Sequence, residues 1–413
     1  MNFRARLAAV ALLALAVRGA YILSHSRGEG ELVGDAHQYH HFAVNLVEKS
    51  SYEDAFGDRL FRIPGYPVFL AGIYAVGGPR VAAVQLVQAV LGALACLCLF
   101  LTARKLWGEP WDLLCGGGAA FYLGLIEPCA RVLSESLGSS LAAYFLWAWF
   151  CLEGGAAVRA GVSALLLAAL SLVRPDFGPS AAALALASPR LDPQMRGRHV
   201  LIWVAAAFLV FSPWIIRNQR VFGRFIPGST QGEAGIYYGL AFPLAALGDL
   251  GKVEYLPTGV PELEQRQYYL KEFRALWAAT PALKIARAYA FNIASVFYPF
   301  LPAYDWTYAF WVPFWLWACW RLRGRPVTKA ALCLILPYLA VHLVTGGPVS
   351  RYREPIAGAL LLLGVSGLRD LAQRWEGGFQ KRVNLWLGFN FLAYLFSPTF
   401  RSAALTLKRI VLG

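Results

Sequence analysis

GDAHQYHHFAVNLVEKSSYEDAFGDRLFRIPGYP, residues 34–67, is a polar, acid-bearing stretch set between two apolar runs, 7–23 and 82–101. Similar apolar runs recur through the 413-residue chain, which is 58% hydrophobic. Their length, about twenty residues, is what crosses roughly 30 Å of hydrocarbon. The chain therefore reads as an all-α polytopic membrane protein. In it, residues 34–67 form a loop at the membrane surface, and chemistry is expected there.

Charge supports this reading. The net charge is +14, yet Lys and Arg fall in short clusters between apolar runs rather than on one soluble face, so they report topology and no nucleic-acid partner is expected. Cys96, Cys98, Cys115, Cys129, Cys151, Cys319 and Cys333 lie almost all inside apolar runs, without disulfide or zinc spacing, and read as small core residues. The start has the charge and apolar core of a secretory signal. However, the run continues through Arg18 to Ile22 with no A-x-A site, and an uncleaved first span is expected. Arg4 and Arg6 place the amino end in the cytoplasm, which makes 24–78 an extracytoplasmic loop.

Further crossings are expected at 82–101, 113–126, 136–152, 200–216, 306–320, 332–344, 356–368 and 385–396. Two short pieces, 160–173 and 179–187, are separated by Arg174-Pro175-Asp176, the pattern of a broken intramembrane helix pair. The run 286–302 is read as interfacial, because a span there would put Arg321, Arg323 and Arg325 outside. About eleven spans result, in one domain covering 1–413. A second extracytoplasmic loop, 218–304, carries GSTQGEAGIYYG (228–239), whose glycines and hydroxyls suit approach to a ligand.

Asp35, Tyr39, Phe42, Ala43 and Leu46 share one helical stripe, which predicts a short amphipathic helix lying on the membrane. Asp35 has two readings. With Gln38 it has the form of a capping box; near apolar surroundings a carboxylate also serves as a general base. Glu135 sits at the mouth of a span, where an ionisable residue is a functional candidate. His37, His40 and His41 invite a metal-site reading, but only lone His25 or His342 is left to complete it. An interfacial histidine set is the reading carried forward, with no metal or other cofactor expected. Arg62, Arg217, Arg351 and Arg353 lie at outer span ends, against the positive-inside bias. Each alone reads as snorkelling; together they fit an anionic group, and the arginine fork matches phosphate.

The set D-x-x-x-Y (Asp35, Tyr39), R-x-P-G-Y-P-x-F-L-A (62–71), S-E-S-L (134–137), R-P-D (174–176), P-W-x-x-R-N (213–218), S-T-x-G (229–232) and R-Y-R-x-P (351–355) resembles the GT-C glycosyltransferases. More narrowly, it resembles the bacterial and archaeal relatives of the protein O-mannosyltransferases and aminoarabinose transferases. The resemblance implies a GT-C-like bundle that moves a sugar from a polyprenyl-phosphate donor, with inversion, to a lipid, glycan or protein acceptor. The site would lie on the outer face of the cytoplasmic membrane. Asp35 would be the base, with Glu135 orienting it or the acceptor. Arg62, Arg217, Arg351, Arg353 and Tyr352 are candidates for the donor phosphate; Tyr39, His37, Tyr66 and Asn218 are candidates for the pocket. Asp35 is followed by Ala36 rather than by the Glu of the protein mannosyltransferases, and no large soluble carboxy-terminal domain is expected, so a protein acceptor fits less well.

The chemistry agrees with the resemblance. Phosphate is a good leaving group, so such a donor needs cations to receive charge and a base for the acceptor's proton. No phosphate-cradling glycine loop suggests a nucleotide sugar. Two rivals stand beside this reading: a transporter or lipid flippase using the break at 174–176, and a catalytically inactive GT-C-like subunit. Membrane lipids are partners under all three. Trp306, Trp311, Trp315, Trp317 and Trp320 are read as an interfacial belt rather than a sugar platform.

Overall fold

The computed structural model describes residues 2–398 apart from 27, 29, 31, 256–259, 301–303 and 376. Parts of the 218–304 loop, including the end of the 286–302 run, thus lie outside the described residues. Among the described residues the chain is 80% helical and has no strand. In order, the helices are α1 (Phe3–His25), α2 (Asp35–Lys49), α3 (Gly65–Gly77), α4 (Val81–Trp107), α5 (Trp111–Phe121), α6 (Leu123–Ile126), α7 (Ser134–Cys151), α8 (Gly155–Val173) and α9 (Gly178–Leu191). There follow α10 (Val200–Phe222), α11 (Gln231–Ala246), α12 (Glu262–Ala279), α13 (Ala282–Phe297), α14 (Trp306–Arg321), α15 (Pro326–Thr345), α16 (Ala357–Arg374) and α17 (Phe379–Leu395).

Six stretches are long and apolar enough to cross a membrane: Phe3–His25, Val81–Trp107, Gly155–Val173, Gly197–Phe222, Pro326–Thr345 and Ser350–Arg374. The pair Trp111–Phe121 and Leu123–Ala130, bent by 69°, makes a seventh. The protein is a multi-pass membrane protein, but the expected eleven spans are not all met on these terms. The expected crossings on α9, α14 and α17 fall on helices of 14, 16 and 17 residues, and α7 opens on Ser-Glu-Ser. Conversely, the first of the two short pieces around 174–176 is a full helix of 19 residues, α8.

The bend after α5 is held by a charge inside the membrane region. A buried guanidinium is stabilised by carbonyl and carboxylate acceptors. Arg18 of α1, fully buried, donates to the Leu125 carbonyl at 3.0 Å and to Ala14 at 3.2 Å. Arg6, on the same buried stripe nearer the start of α1, pairs with Asp112 of α5 at 2.6 Å and with Glu109. At the centre lies α16, buried at every position from Ala357 to Leu368; it packs against α14, α5 and α7.

Two glycines set how closely the helices behind the site approach, since helix association in lipid depends on small residues at the contact. A Cβ on Gly65, at the start of α3, would stand 2.3 Å from the Leu172 carbonyl of α8. One on Gly239 of α11 would stand 2.1 Å from the Val344 carbonyl at the end of α15. α3 and α11 thereby seat directly on the two elements, the end of α8 and the end of α15, that lead into the charged groups described next.

Candidate functional site

α2 begins after Gly34, which has φ 57° and supplies the sharp entry that glycine makes at little steric cost. Its inner stripe is the expected one, with Tyr39, Phe42 and Ala43 buried. Gly34 occupies the cap position, and the Asp35 carboxylate is turned away from the free N–H groups toward two arginines. Arg62 donates Nη2 to Asp35 Oδ1 at 2.6 Å, and Arg351 donates Nη2 to Oδ2 at 2.5 Å. Gln38, the presumed box partner, also accepts from Arg62, at 2.6 and 3.1 Å. The Arg62 guanidinium lies over the Tyr39 ring at 5.0 Å, which fixes its plane.

Both carboxylate oxygens of Asp35 are therefore held, one from each flank. Burial by itself pushes the carboxyl up, but Arg62 and Arg351 overcome it and hold the group well below the usual carboxylate range. Asp35 stands at the wall of a cavity of about 760 Å³, which Arg351, Arg353, Arg131, Glu127, Glu354 and apolar residues such as Leu123 and Val349 also line. On that wall Arg131 bridges Glu127 at 2.9 Å and Glu354 at 3.0 Å.

Glu135 lies in the first turn of α7, where the helix dipole favours an anion. Its Oε1 is 3.1 Å from Arg174 Nη1 and 3.5 Å from Arg351 Nε. Arg174 continues to Ser134 at 3.2 Å and to Asp176 at 2.9 Å, and Asp176 meets His342 Nε2 at 2.7 Å. One series of alternating charge thus runs Arg62, Asp35, Arg351, Glu135, Arg174, Asp176, His342. It joins α2, the approach to α3, the start of α7, the break between α8 and α9, the end of α15 and the turn Ser350–Ile356.

The other expected residues fall in three groups. Tyr352 stacks on His342 at 4.2 Å, and its carbonyl accepts from Tyr338 at 2.8 Å; it backs the series. Tyr66 is fully buried and donates to Gln88 at 2.8 Å, while His37 faces His41 across 3.0 Å between their Nε2 atoms. Arg217, Asn218 and Arg353 do not converge on Asp35. Arg217 donates to the carbonyls of Arg59 and Tyr52 at 2.9 and 3.2 Å and lies over the Tyr52 and Trp214 rings; Asn218 donates to the Ile226 carbonyl at 2.9 Å. Arg217 thereby pins the 34–67 stretch from behind, and Asn218 accepts from Arg217 at 2.9 Å and holds it there. Arg353 turns to Asp305 at 2.6 Å and over the Tyr308 ring at 3.7 Å, because Asp305 caps α14 there. Among the described residues no group of three or more His, Cys, Asp and Glu is placed to hold a metal ion.

Arg174, Asp176 and His342 are the members that sequence reading did not assign to the site. For Arg174 and Asp176 the signal was the R-P-D run itself, a charge pair at a break between two apolar helices; His342 carries no such signal in the sequence.

The chain is thus a multi-span helical bundle with a carboxylate held between two arginines at a cavity, and the comparisons bear on its fold. The chain superposes on ArnT from Cupriavidus metallidurans bound to undecaprenyl phosphate with a TM-score of 0.54 and 11% identity, covering 95% of this chain and 65% of that one. It superposes equally, at 0.54 and 13% identity, on the Archaeoglobus fulgidus oligosaccharyltransferase tethered to an acceptor peptide containing the NVT sequon, over 95% of this chain and 54% of that one. The same archaeal enzyme in complex with zinc and sulfate gives 0.53 and 15%, over 95% and 52%. This protein thus has the GT-C fold, and it spans between half and two thirds of the length of these enzymes. No family model matches the chain, and no curated protein matches it.

Proposed function

We propose that this chain transfers a sugar from a polyprenyl-phosphate carrier to an acceptor hydroxyl or amine at the outer face of the cytoplasmic membrane, with inversion and with Asp35 as the base. The observation that carries the reading is the Arg62–Asp35–Arg351 clamp at the wall of the cavity. A base is most effective with a pKa near the working pH, and Asp35 paired to two arginines is too acidic for that. A phosphate entering the cavity competes for the same two guanidiniums. As they turn to the donor, Asp35 regains basicity in the step where it is needed. The acceptor's lone pair then forms the new bond at the anomeric carbon and the bond to the phosphate oxygen breaks. The polyprenyl phosphate leaves against arginine, and the acceptor's proton passes to Asp35.

The fold's neighbours act as precedent for the carrier: one holds undecaprenyl phosphate, another an acceptor peptide. The test uses purified protein in lipid nanodiscs, a panel of radiolabelled polyprenyl-phosphate monosaccharides and an envelope extract as acceptor. Transfer by the parent and none by Asp35→Asn, with both equally folded, is the expected outcome. Transfer by Asp35→Asn within a few-fold of the parent removes Asp35 from the chemistry, and no transfer from any donor returns the flippase reading.

A further inference from the structure

The geometry points to Arg174, deep in the break between α8 and α9, as a positioning residue that sets where Arg351 stands against Asp35. This rests on the reading of Asp35 and Arg351 as the working pair. Arg174 touches neither of them. It acts through Glu135, whose Oε1 is shared between Arg174 at 3.1 Å and Arg351 at 3.5 Å.

Arg174 is itself held with little freedom. Its side chain is 8% exposed, its donors go to Ser134, Glu135 and Asp176 at 2.9 to 3.2 Å, and Asp176 is fixed from behind by His342. Gly138, one turn into α7, makes room for its stem: a Cβ there would stand 2.9 Å from Arg174 Cδ. An arginine packed this way presents a fixed fork rather than a mobile charge. With Arg174 in place, Glu135 is shared between two guanidiniums, and Arg351 is divided between two carboxylates: its Nε stands 3.5 Å from Glu135 while its Nη2 donates to Asp35 at 2.5 Å. Without Arg174, Glu135 becomes a buried carboxylate, 4% exposed, with Arg351 as its remaining ion-pair partner, since Arg131, which also feels its charge, is engaged by Glu127 and Glu354. Arg351 then swings back to Glu135 and releases Asp35. Around the Asp35–Arg351 pair and Glu135 the charged and titratable groups are Arg62, Tyr39, Tyr352 and Arg131; Arg62 is held by Asp35 and Gln38, and Arg131 by Glu127 and Glu354, so neither is free for the place Arg174 vacates beside Glu135.

A carbodiimide modifies protonated carboxyls, so labelling followed by peptide mass spectrometry reads the state of Asp35 without turnover. In the parent, Asp35 stays unmodified between about pH 5 and pH 8 because it remains ionised. In Arg174→Met and Arg174→Lys it becomes labelled toward the acid end of that range. Lysine keeps a cation but cannot reach Ser134, Glu135 and Asp176 at once, and it carries the test should the methionine variant fail to fold. Equal labelling of Asp35 in parent and folded variants overturns the proposal. Where a donor is in hand, the variants lose kcat by about 100-fold with KM little changed, the loss expected of a misplaced catalytic group, and the acid limb of the pH–rate profile moves upward. An unmoved profile with reduced yield assigns Arg174 to folding alone. Since labelling is independent of sugar transfer, an incorrect assignment of the reaction leaves this outcome readable.

Discussion

Arg351 and Arg353 stand two positions apart in one motif and do different work. Sequence alone treats them alike, as cations against the positive-inside bias. In the structure Arg351 is about one third exposed at the cavity and held by Asp35, whereas Arg353 is buried against Asp305 and the Tyr308 ring. Arg353→Met should therefore cost stability, about 3–5 kcal/mol, because it leaves Asp305 as an uncompensated buried charge. Arg351→Met should leave the melting temperature nearly unchanged and abolish transfer. Thermal unfolding and transfer measured on both variants check the pair of statements, and loss of stability in Arg351→Met with intact transfer would reverse the assignment. What was legible at this scale was residue type and membrane depth. Partnership was not, because Asp305, Glu135 and Arg174 come from parts of the chain that only the bundle brings together.

At the scale of elements, the stripe on α2 could be read because a half-buried helix obeys its own period. The 218–304 loop could not. Its glycines read as a ligand-approach loop, but Gly235 and Gly239 lie in α11 and serve close contact with Thr345 and Val344 of α15. α12 has only a short apolar stripe, Tyr269, Phe273 and Leu276, packed against α11, while Glu262, Glu264, Arg266, Lys271, Glu272 and Arg274 give the helix a polar look in sequence. Its first residue nonetheless joins the two loops: Glu262 accepts from the backbone N–H of Arg59 at 2.8 Å and of Leu60 at 2.5 Å. Burial pushes the Glu262 carboxyl up to about 7; the two N–H groups oppose this, and Asp58 and Asp54 add to it. The sign follows from linkage. A carboxyl with a raised folded-state pKa binds more protons folded than unfolded, so its contribution is present below about 4.5 and is lost as pH rises through 7. The melting temperature should fall between those values in the parent and less so in Glu262→Gln, which keeps an acceptor oxygen. Parallel curves for the two proteins would sink the assignment.

For the whole molecule, the number of crossings was the least legible feature, because several bundle helices are shorter or more polar than a lone span and rely on neighbours for burial. What the bundle achieves is a balance of charge at one depth: two arginines committed to one aspartate before any ligand arrives. That balance has a consequence for affinity. On the proposed function, a polyprenyl phosphate would take Arg62 and Arg351 from Asp35, and part of its binding energy would be used to break those pairs. Asp35→Asn removes the competitor while leaving the cations, so the inactive variant should bind undecaprenyl phosphate more tightly than the parent. A tenfold gain corresponds to about 1.4 kcal/mol. Thermal shift in nanodiscs reads it directly, since a ligand at 100 times its Kd adds about 2.7 kcal/mol of stability, and the tighter binder reaches a given shift at lower ligand. Weaker binding by Asp35→Asn would mean that Asp35 contacts the donor itself, and the arginine clamp would then be a scaffold rather than a gate.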